Sequence, residues 1–271
     1  MTRRARLDAE LVRRGLARSR QQAAELIADG KVLVRGVAAN KPATAVELDA
    51  PVLVRAEQGP EWASRGALKL LGALAAFQDG GLTVAGRRCL DAGASTGGFT
   101  DVLLHHGAAE VVAVDVGYGQ LIWRLRSDDR VRVLDRTNVR NLGPEAIGGP
   151  VSLTVADLSF ISLRTVLPAL MACTTPDGDL LPMVKPQFEV GRSRLGSGGV
   201  VRDPELRLAA LTEVTAMCGE AGLAVCGAVA SPAPGPAGNV EYFLWMRAAE
   251  LVVPGEPVAE ILQRAVREGP Q

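Results

Sequence analysis

The chain has little of what builds a metal centre or a disulfide scaffold. Its 271 residues hold two histidines and four cysteines, Cys89, Cys173, Cys218 and Cys226, which lie far apart with no C-x-x-C pair. Neither zinc ligation nor a disulfide framework is indicated; no metal is expected, and the thiols read as reduced core residues. No apolar run approaches the ~20 residues that span a bilayer, and no basic amphipathic stretch of the membrane-surface kind is present. The N-terminus has basic residues but lacks an apolar h-region. Together these absences predict a cytoplasmic globular protein with no membrane partner, acting as a monomer. At about 100–200 residues per domain, the length allows one or two domains.

Net charge is also missing, but only in the sum. Residues 1–60 carry eleven Lys and Arg against seven Asp and Glu, and the remainder is correspondingly acidic. A basic first piece on a mildly acidic body suggests that this piece meets a polyanion.

The central stretch is Arg88-Cys89-Leu90-Asp91-Ala92-Gly93-Ala94-Ser95-Thr96-Gly97-Gly98-Phe99-Thr100. It reads as a strand ending in a glycine loop that opens a helix. A second apolar strand, 110–114, follows with Asp115 at its carboxyl end, where an open parallel sheet places groups that hold a ribose. Triphosphate binding would need Lys and then Ser or Thr after the last glycine, and Phe99 follows Gly98. The dinucleotide spacing G-x-G-x-x-G is not met by Gly93, Gly97 and Gly98. An acid at Asp91 would repel a diphosphate but suit a cation such as the ammonium of S-adenosylmethionine. That cofactor is therefore expected, held by Asp91, Gly93, Ser95, Gly97, Gly98, Phe99, Asp115 and Asp135; the bland alternative is an ordinary tight turn.

In chain order, Leu7, Leu11 and Val12 mark a short helix stopped at Gly15. Ser19 with Gln22 forms a capping box for a second helix that ends at Gly30, and residues 31–36 alternate like a strand. The residues Arg6-Leu7-Asp8, Arg14 to Arg20, Gly30-Lys31-Val32 and Lys41-Pro42 resemble the S4-like RNA-binding domain. That resemblance implies docking on structured RNA, where shape and phosphate contacts dominate, through Arg6, Arg14, Arg18, Arg20, Lys31 and Lys41. Gly59-Pro60 breaks the pattern, so a linker is expected over about 54–65, between an S4-like domain at 1–60 and a larger domain at 66–271.

That larger domain opens on a helix whose Leu70, Leu71, Leu74 and Phe77 can pack on a sheet, with Lys69 leaning toward another surface. Strands are expected at 131–135, 151–157, 179–185, 223–229 and 240–245, and helices near 162–172 and 203–221. The result is a seven-strand α/β sheet of Rossmann-like type with ligands at its carboxyl edge.

Asp157 and Lys185 end adjacent apolar runs, Glu241 opens the last strand, and Lys69 precedes the glycine loop. A lysine near another cation or partly desolvated can serve as a base near neutral pH, and a ribose 2′-hydroxyl, a poor acid, needs such a base most. Amino-group methylation would want Pro-Pro and an aromatic after Asp157; Leu158-Ser159-Phe160 follows instead. Cytosine carbon methylation would want a Pro-Cys pair, and Ala172 precedes Cys173. Singly, each charged residue could be a surface ion pair worth about 0–1 kcal/mol.

The motifs Ser64-Arg65-Gly66 to Lys69, Asp91 to Thr100, Asp157 to Ser162, Val184 to Glu189, Gly199 to Asp203, and Ser231-Pro232 with Gly238-Asn239-x-Glu241 resemble the TlyA-type (hemolysin A-like) ribosomal RNA 2′-O-methyltransferases, relatives of the FtsJ-like enzymes. Ala67 departs from the glycine such chains more often keep. The resemblance covers nearly the whole chain. It implies Lys69, Asp157, Lys185 and Glu241 as a catalytic tetrad and a cytidine ribose of ribosomal RNA, or of a ribosomal subunit, as target. Two other readings remain at this point: an RNA-binding protein on an inactive methyltransferase fold, and a membrane-active hemolysin.

Overall fold

The computed structural model describes residues 4–55, 60–191, 194–235, 237–253 and 255–270. Contacts divide the chain into two compact units, Met1–Glu61 and Trp62–Gln271. Residues 56–59, within the stretch expected to form a linker, lie outside the described residues.

The first unit runs β1 (Arg4–Arg6), α1 (Leu7–Arg13), α2 (Arg20–Ala28), β2 (Val32–Val34), β3 (Val37–Ala38), β4 (Ala45–Glu47) and β5 (Val52–Val54). Gly15 and Gly30 follow the two helices at φ +70° and +67°, a left-handed turn that costs glycine nothing and stops each helix. Ser19 caps α2 by accepting from Gln22 N at 3.1 Å, but Gln22 Oε1 accepts from Arg18 N rather than from Ser19 itself. Leu7, Leu11, Ala23, Ile27, Val32 and Val46 form the core. Strand β1 pairs with β4, and β3-β2-β5 form a second small sheet. Of these strands, all two or three residues long, only β2 was legible, within the alternating stretch 31–36.

The second unit runs α3 (Gly66–Phe77), β6 (Arg88–Ala92), α4 (Gly98–His105), β7 (Glu110–Val114), α5 (Trp123–Arg126), β8 (Val131–Leu134), α6 (Pro144–Ile147), β9 (Val151–Ala156), α7 (Leu163–Ala172), β10 (Thr174–Val184), α8 (Pro186–Glu189), α9 (Pro204–Glu220), β11 (Leu223–Ala230), β12 (Tyr242–Ala248) and α10 (Val258–Glu268). The sheet order is β11-β12-β10-β9-β6-β7-β8, parallel from β10 through β8. Strand β12 is antiparallel to both of its neighbours. Successive residues of β6 and β7 feed opposite faces: Leu90, Val112 and Val114 pack with α7, α9 and α10 residues, whereas Cys89 and Val111 pack with Leu70, Leu74, Phe77 and Leu103 of α3 and α4. This two-sided burial explains why the strands read as continuous apolar runs.

The chain leaves β6 toward β7 and β8 and later returns through β9 on its other side, so the strand order reverses between β6 and β9. Ligands of such sheets bind in the crevice outside the carboxyl ends at that switch point. Because β12 runs the other way, its beginning reaches the same edge, and with it Glu241.

The structure adds to or departs from expectation at four points. Lys69, expected to lean toward another surface than the one α3 packs on the sheet, is buried. Strand β10 starts at Thr174, not 179, continuing through an irregular stretch in its pairing with β9. Helix α10 was not expected, and Cys226, unlike the other three cysteines, is only half-buried.

Gly227 sits where the register of β11 shifts against β12, and a Cβ there would meet the Phe77 ring at 2.7 Å. Gly227→Ala should therefore overpack the α3 face and destabilise the unit by about 1–3 kcal/mol, read as a lowered melting temperature. An unchanged melt would show that Phe77 has room to swing aside.

Candidate active site

The four tetrad residues arrive from four elements and form an alternating square. Lys69 Nζ donates to Glu241 Oε2 at 2.6 Å and lies 3.5 Å from Asp157 Oδ2. Lys185 Nζ pairs with Asp157 Oδ1 at 2.6 Å and lies 3.9 Å from Glu241 Oε1. Each cation thus faces two anions, and the set is neutral. The side chains of Glu241, Lys185 and Lys69 are 1 %, 7 % and 10 % exposed, and that of Asp157 is 20 % exposed. Gln187 adds an amide N–H to Glu241 Oε1 at 3.4 Å, and Ser159 Oγ accepts from Lys185 Nζ at 3.1 Å.

Two of the four groups, Lys69 and Asp157, are held in their charged forms by their neighbours. Burial acts to lower the Lys69 pKa, but Asp157 and Glu241 outweigh it and the ammonium is held above its ordinary value. Burial likewise acts to raise Asp157, and the two lysines outweigh it, so its carboxyl stays below the usual range. Proximity of opposite charges wins over desolvation in both cases.

Two separate sequence motifs turn out to be one support for Glu241. Asn239 accepts from Val201 N at 2.9 Å and donates to Gly199 O at 3.1 Å, while Ser231 N donates to Glu241 O at 2.8 Å. The stretch after α8 and the turn before β12 are thereby tied together behind the carboxylate.

Beside the square lies the glycine loop. Gly93 has φ +94°, and a Cβ there would stand 2.5 Å from the Asp157 carbonyl oxygen; this position brings the end of β6 against the end of β9 and admits no side chain. Ser95 N and Gly117 N donate to the two oxygens of Asp115 at 2.8 and 2.7 Å, which fixes that carboxylate at the end of β7. Asp135 pairs with Arg126 at 2.9 Å. Gly97 and Gly98 are buried where the loop enters α4; a Cβ on Gly98 would crowd Ser64 Oγ and Ala67 N. The cradle fits the expected cofactor: a narrow backbone loop that glycines keep open, and a strand-end carboxylate suited to a ribose diol.

Two residues of the expected cofactor set lie behind this surface. Phe99 is in the core, its ring 5.8 Å from that of Phe243. Asp91 is 0 % exposed, so it has no surface from which to meet a cation. Its Oδ2 accepts from Thr100 Oγ1 at 2.6 Å, and its Oδ1 is buried without a hydrogen-bond partner among the described residues. Burial pushes its pKa up to about 7. Asp91 thus supports the loop from beneath. Ser159, Gln187, Asn239 and Thr100 were legible only as members of motifs; no periodicity marked them out.

In the first unit, the basic residues differ in what they can offer. Arg14 turns inward, donating to Leu48 O, Ala50 O and Glu10, and so serves as an internal strut rather than an exposed cation. Arg6 and Arg20 both hold the buried Asp8 at 2.9 Å with most of each guanidinium outward; the Arg6 hydrogen bond chiefly keeps the Asp8 carboxyl well below its usual range. Lys31 lies 3.3 Å from Asp29. Arg18 and Lys41 are exposed.

A family model of FtsJ-like methyltransferases matches residues 62–248, and one of the S4 domain matches residues 5–52. The chain is 60 % identical over its full length, and that of the relative, to the 16S/23S rRNA (cytidine-2'-O)-methyltransferase TlyA of Mycobacterium tuberculosis. It is 35 % identical to Hemolysin A of Brachyspira hyodysenteriae, over 88 % of this chain and 97 % of that one. Among solved structures, a Streptococcus thermophilus chain carrying a provisional hemolysin name superposes with a TM-score of 0.76 at 36 % identity, covering 99 % of this chain and 96 % of that one.

The buried Asp91 carboxyl has a measurable consequence. Folding raises its pKa to about 7, so the native protein keeps a proton that the unfolded chain gives up above about pH 4. Its contribution to stability is therefore present in acid, falls as pH rises from about 4 to about 7, and is constant above. Asp91→Asn cannot titrate; relative to wild type it should gain roughly 2–3 kcal/mol between pH 5 and pH 8, at about 1.4 kcal/mol per pH unit. Urea unfolding of both proteins at the two pH values checks this, and an equal difference at both would mean that the carboxyl stays ionised.

Proposed function

Because the chain belongs to the FtsJ-like methyltransferase family, with an S4 domain preceding that domain, we infer that it is an S-adenosylmethionine-dependent 2′-O-methyltransferase acting on a cytidine ribose of ribosomal RNA. The observation that carries the chemistry is the alternating square, with Lys185 bonded to exposed Ser159 at its open end. The kinship with the Mycobacterium tuberculosis enzyme supports the substrate. The reaction belongs to the cytoplasm, where ribosomal RNA is found. Among the described residues no helix is long and apolar enough to cross a membrane.

In this reading Gly93, Ser95, Gly97 and Gly98 form the cofactor cradle, Asp115 takes the ribose diol, Asp135 lies at the next strand end, and Asp91 and Phe99 fix the loop and helix behind it. S-adenosylmethionine, when bound, supplies an electrophilic methyl group on a sulfonium. The chain's own task is to line up the acceptor hydroxyl and remove its proton. Lys69 keeps its proton between Glu241 and Asp157, and so neutralises the two carboxylates. Lys185, in its neutral amine form, takes the 2′-hydroxyl proton at Nζ and becomes an ammonium beside Asp157. Asp157 holds Lys185 in place, and Glu241 holds Lys69.

RNA affinity in this reading comes from the first unit, and is mostly electrostatic. Arg18, 3.6 Å from Glu61, and Lys41 are exposed, Arg6 and Arg20 are braced by Asp8, and Arg14 acts as a strut.

The test is transfer of labelled methyl from S-adenosylmethionine to ribosomal subunits lacking the modification, with the modified nucleotide mapped. Lys185→Arg keeps the cation but cannot accept a proton, since guanidinium stays charged. It should bind RNA and cofactor nearly as wild type and lose turnover by about 10²–10⁴-fold. More than about a tenth of the wild-type rate, well above what loss of a general base allows, would make Lys185 a positioning cation only. Replacing both Arg18 and Lys41 with Ala should weaken RNA binding and flatten the plot of log affinity against log salt by about 0.7–0.9 for each phosphate no longer neutralised. An unchanged slope would remove these residues from the interface.

A further inference from the structure

Resting on that reading, we propose that Ser159 is the positioning residue that aims the Lys185 lone pair at the ribose hydroxyl, and that Glu189 holds the loop that carries it. A neutral lysine amine has two N–H bonds and one lone pair. Around Lys185 Nζ two oxygens of the described residues lie close: Ser159 Oγ, which accepts a hydrogen bond at 3.1 Å, and Asp157 Oδ1, an ion-pair contact at 2.6 Å whose angles do not make it a hydrogen bond. Glu241 Oε1, at 3.9 Å, is too far for a hydrogen bond, and Glu241 is engaged by Lys69 at 2.6 Å. Ser159 Oγ is thus, among the described residues, the one oxygen shown to take an N–H from this amine, and with that N–H fixed and the Asp157 carboxylate close on another side, the lone pair is directed away from both. Without Ser159 the amine is free to turn about its Cε–Nζ bond, and the lone pair sweeps past the acceptor.

The loop that presents Ser159 is held from both sides. Phe160, directly after it, has φ +62°, a left-handed conformation that a bulky residue adopts only where its surroundings impose it. Further along the same loop, the Glu189 carboxylate accepts from Ser162 Oγ at 2.6 Å and from Leu163 N at 2.8 Å and is itself 2 % exposed. Glu189 lies in α8, four residues after Lys185, so one clamp spans the loop leaving β9 with Asp157 and the turn leaving β10 with Lys185. During transfer the hydroxyl proton passes to Nζ while the oxygen takes the methyl and the sulfur keeps the carbon–sulfur electron pair; Ser159 takes part in none of these bonds.

Because Ser159 is exposed, its replacement should leave the fold intact. Methyl transfer to unmodified ribosomal subunits is measured for wild type, Ser159→Ala, Ser159→Thr and Lys185→Arg, with kcat, KM for RNA, and cofactor affinity read separately. Ser159→Ala should lose about 10–100-fold in kcat, the size expected for a misaimed catalytic group, with KM and cofactor affinity within twofold. Ser159→Thr, which keeps the hydroxyl, should recover most of it. A kcat of Ser159→Ala within twofold of wild type, a rise in KM at unchanged kcat, or a threonine variant as slow as alanine would each overturn the positioning role while leaving the function standing. Retained activity in Lys185→Arg would instead overturn the base assignment and this inference with it.

Discussion

Everything at the carboxyl edge depends on two lysines and two carboxylates being buried together with their signs alternating. Moving one ion from water into a protein interior costs several kcal/mol even after relaxation, and a buried pair seldom recovers more than that cost. Four such groups within one square are therefore poor stabilisers. They are kept by geometry: each lysine nitrogen lies within 3.9 Å of both carboxylates, so deleting any one member leaves an uncompensated buried charge, which costs about 3–5 kcal/mol. The square is bound to its full complement, and that makes it a rigid frame for whichever of its nitrogens is used.

The frame can close only because the sheet is not uniformly parallel. Asp157 and Lys185 lie just past the ends of β9 and β10, which are neighbours. A parallel final strand would deliver its first residue to the far edge, some five residues and roughly 17 Å away at about 3.3 Å per residue. With β12 antiparallel to β10, Val184 pairs with Tyr242, and Glu241 arrives beside Lys185. Lys69 comes from a helix outside the sheet, and Gly93 lets the loop after β6 close over Asp157. Fold and site are thus linked by one reversal of strand direction and one missing side chain.

How much of this could be read from residues alone follows from the same physics. Strands buried on two faces print long apolar runs, and the seven strands of the large sheet were legible for that reason. The ends of β6, β7 and β9 were legible too, because a polar residue after such a run has few places to go but the edge. The strands of the first unit were mostly invisible: two or three residues carry no period. The burial of Lys69 was not legible locally, because nothing near it in sequence reveals the two carboxylates, 88 and 172 residues away, that make it possible. Asp91 reads as a surface anion from its neighbours in sequence, whereas its environment is set by Thr100 one helical turn into α4 and by the strands on either side.

The contrast between Asp91 and Asp157 shows what separates a supporting carboxyl from a reacting one in this fold. Both follow the same rule of placement, at or just beyond the end of a central parallel strand, and both are largely removed from water. Asp157 has two ammonium groups within 3.5 Å, and their attraction exceeds the desolvation it suffers. Asp91 has a hydroxyl and, among the described residues, no cation beside it; Asp157 and Asp115 add repulsion to its burial, and its pKa rises to about 7, so that the neutral acid is favoured below that pH. A neutral carboxyl beneath the glycine loop can bond to Thr100 without placing a negative charge under a bound ligand, and an ionised one beside Lys185 can hold a base in position. Partner charges, more than depth of burial, thus decide which carboxyl belongs to the scaffold and which to the chemistry.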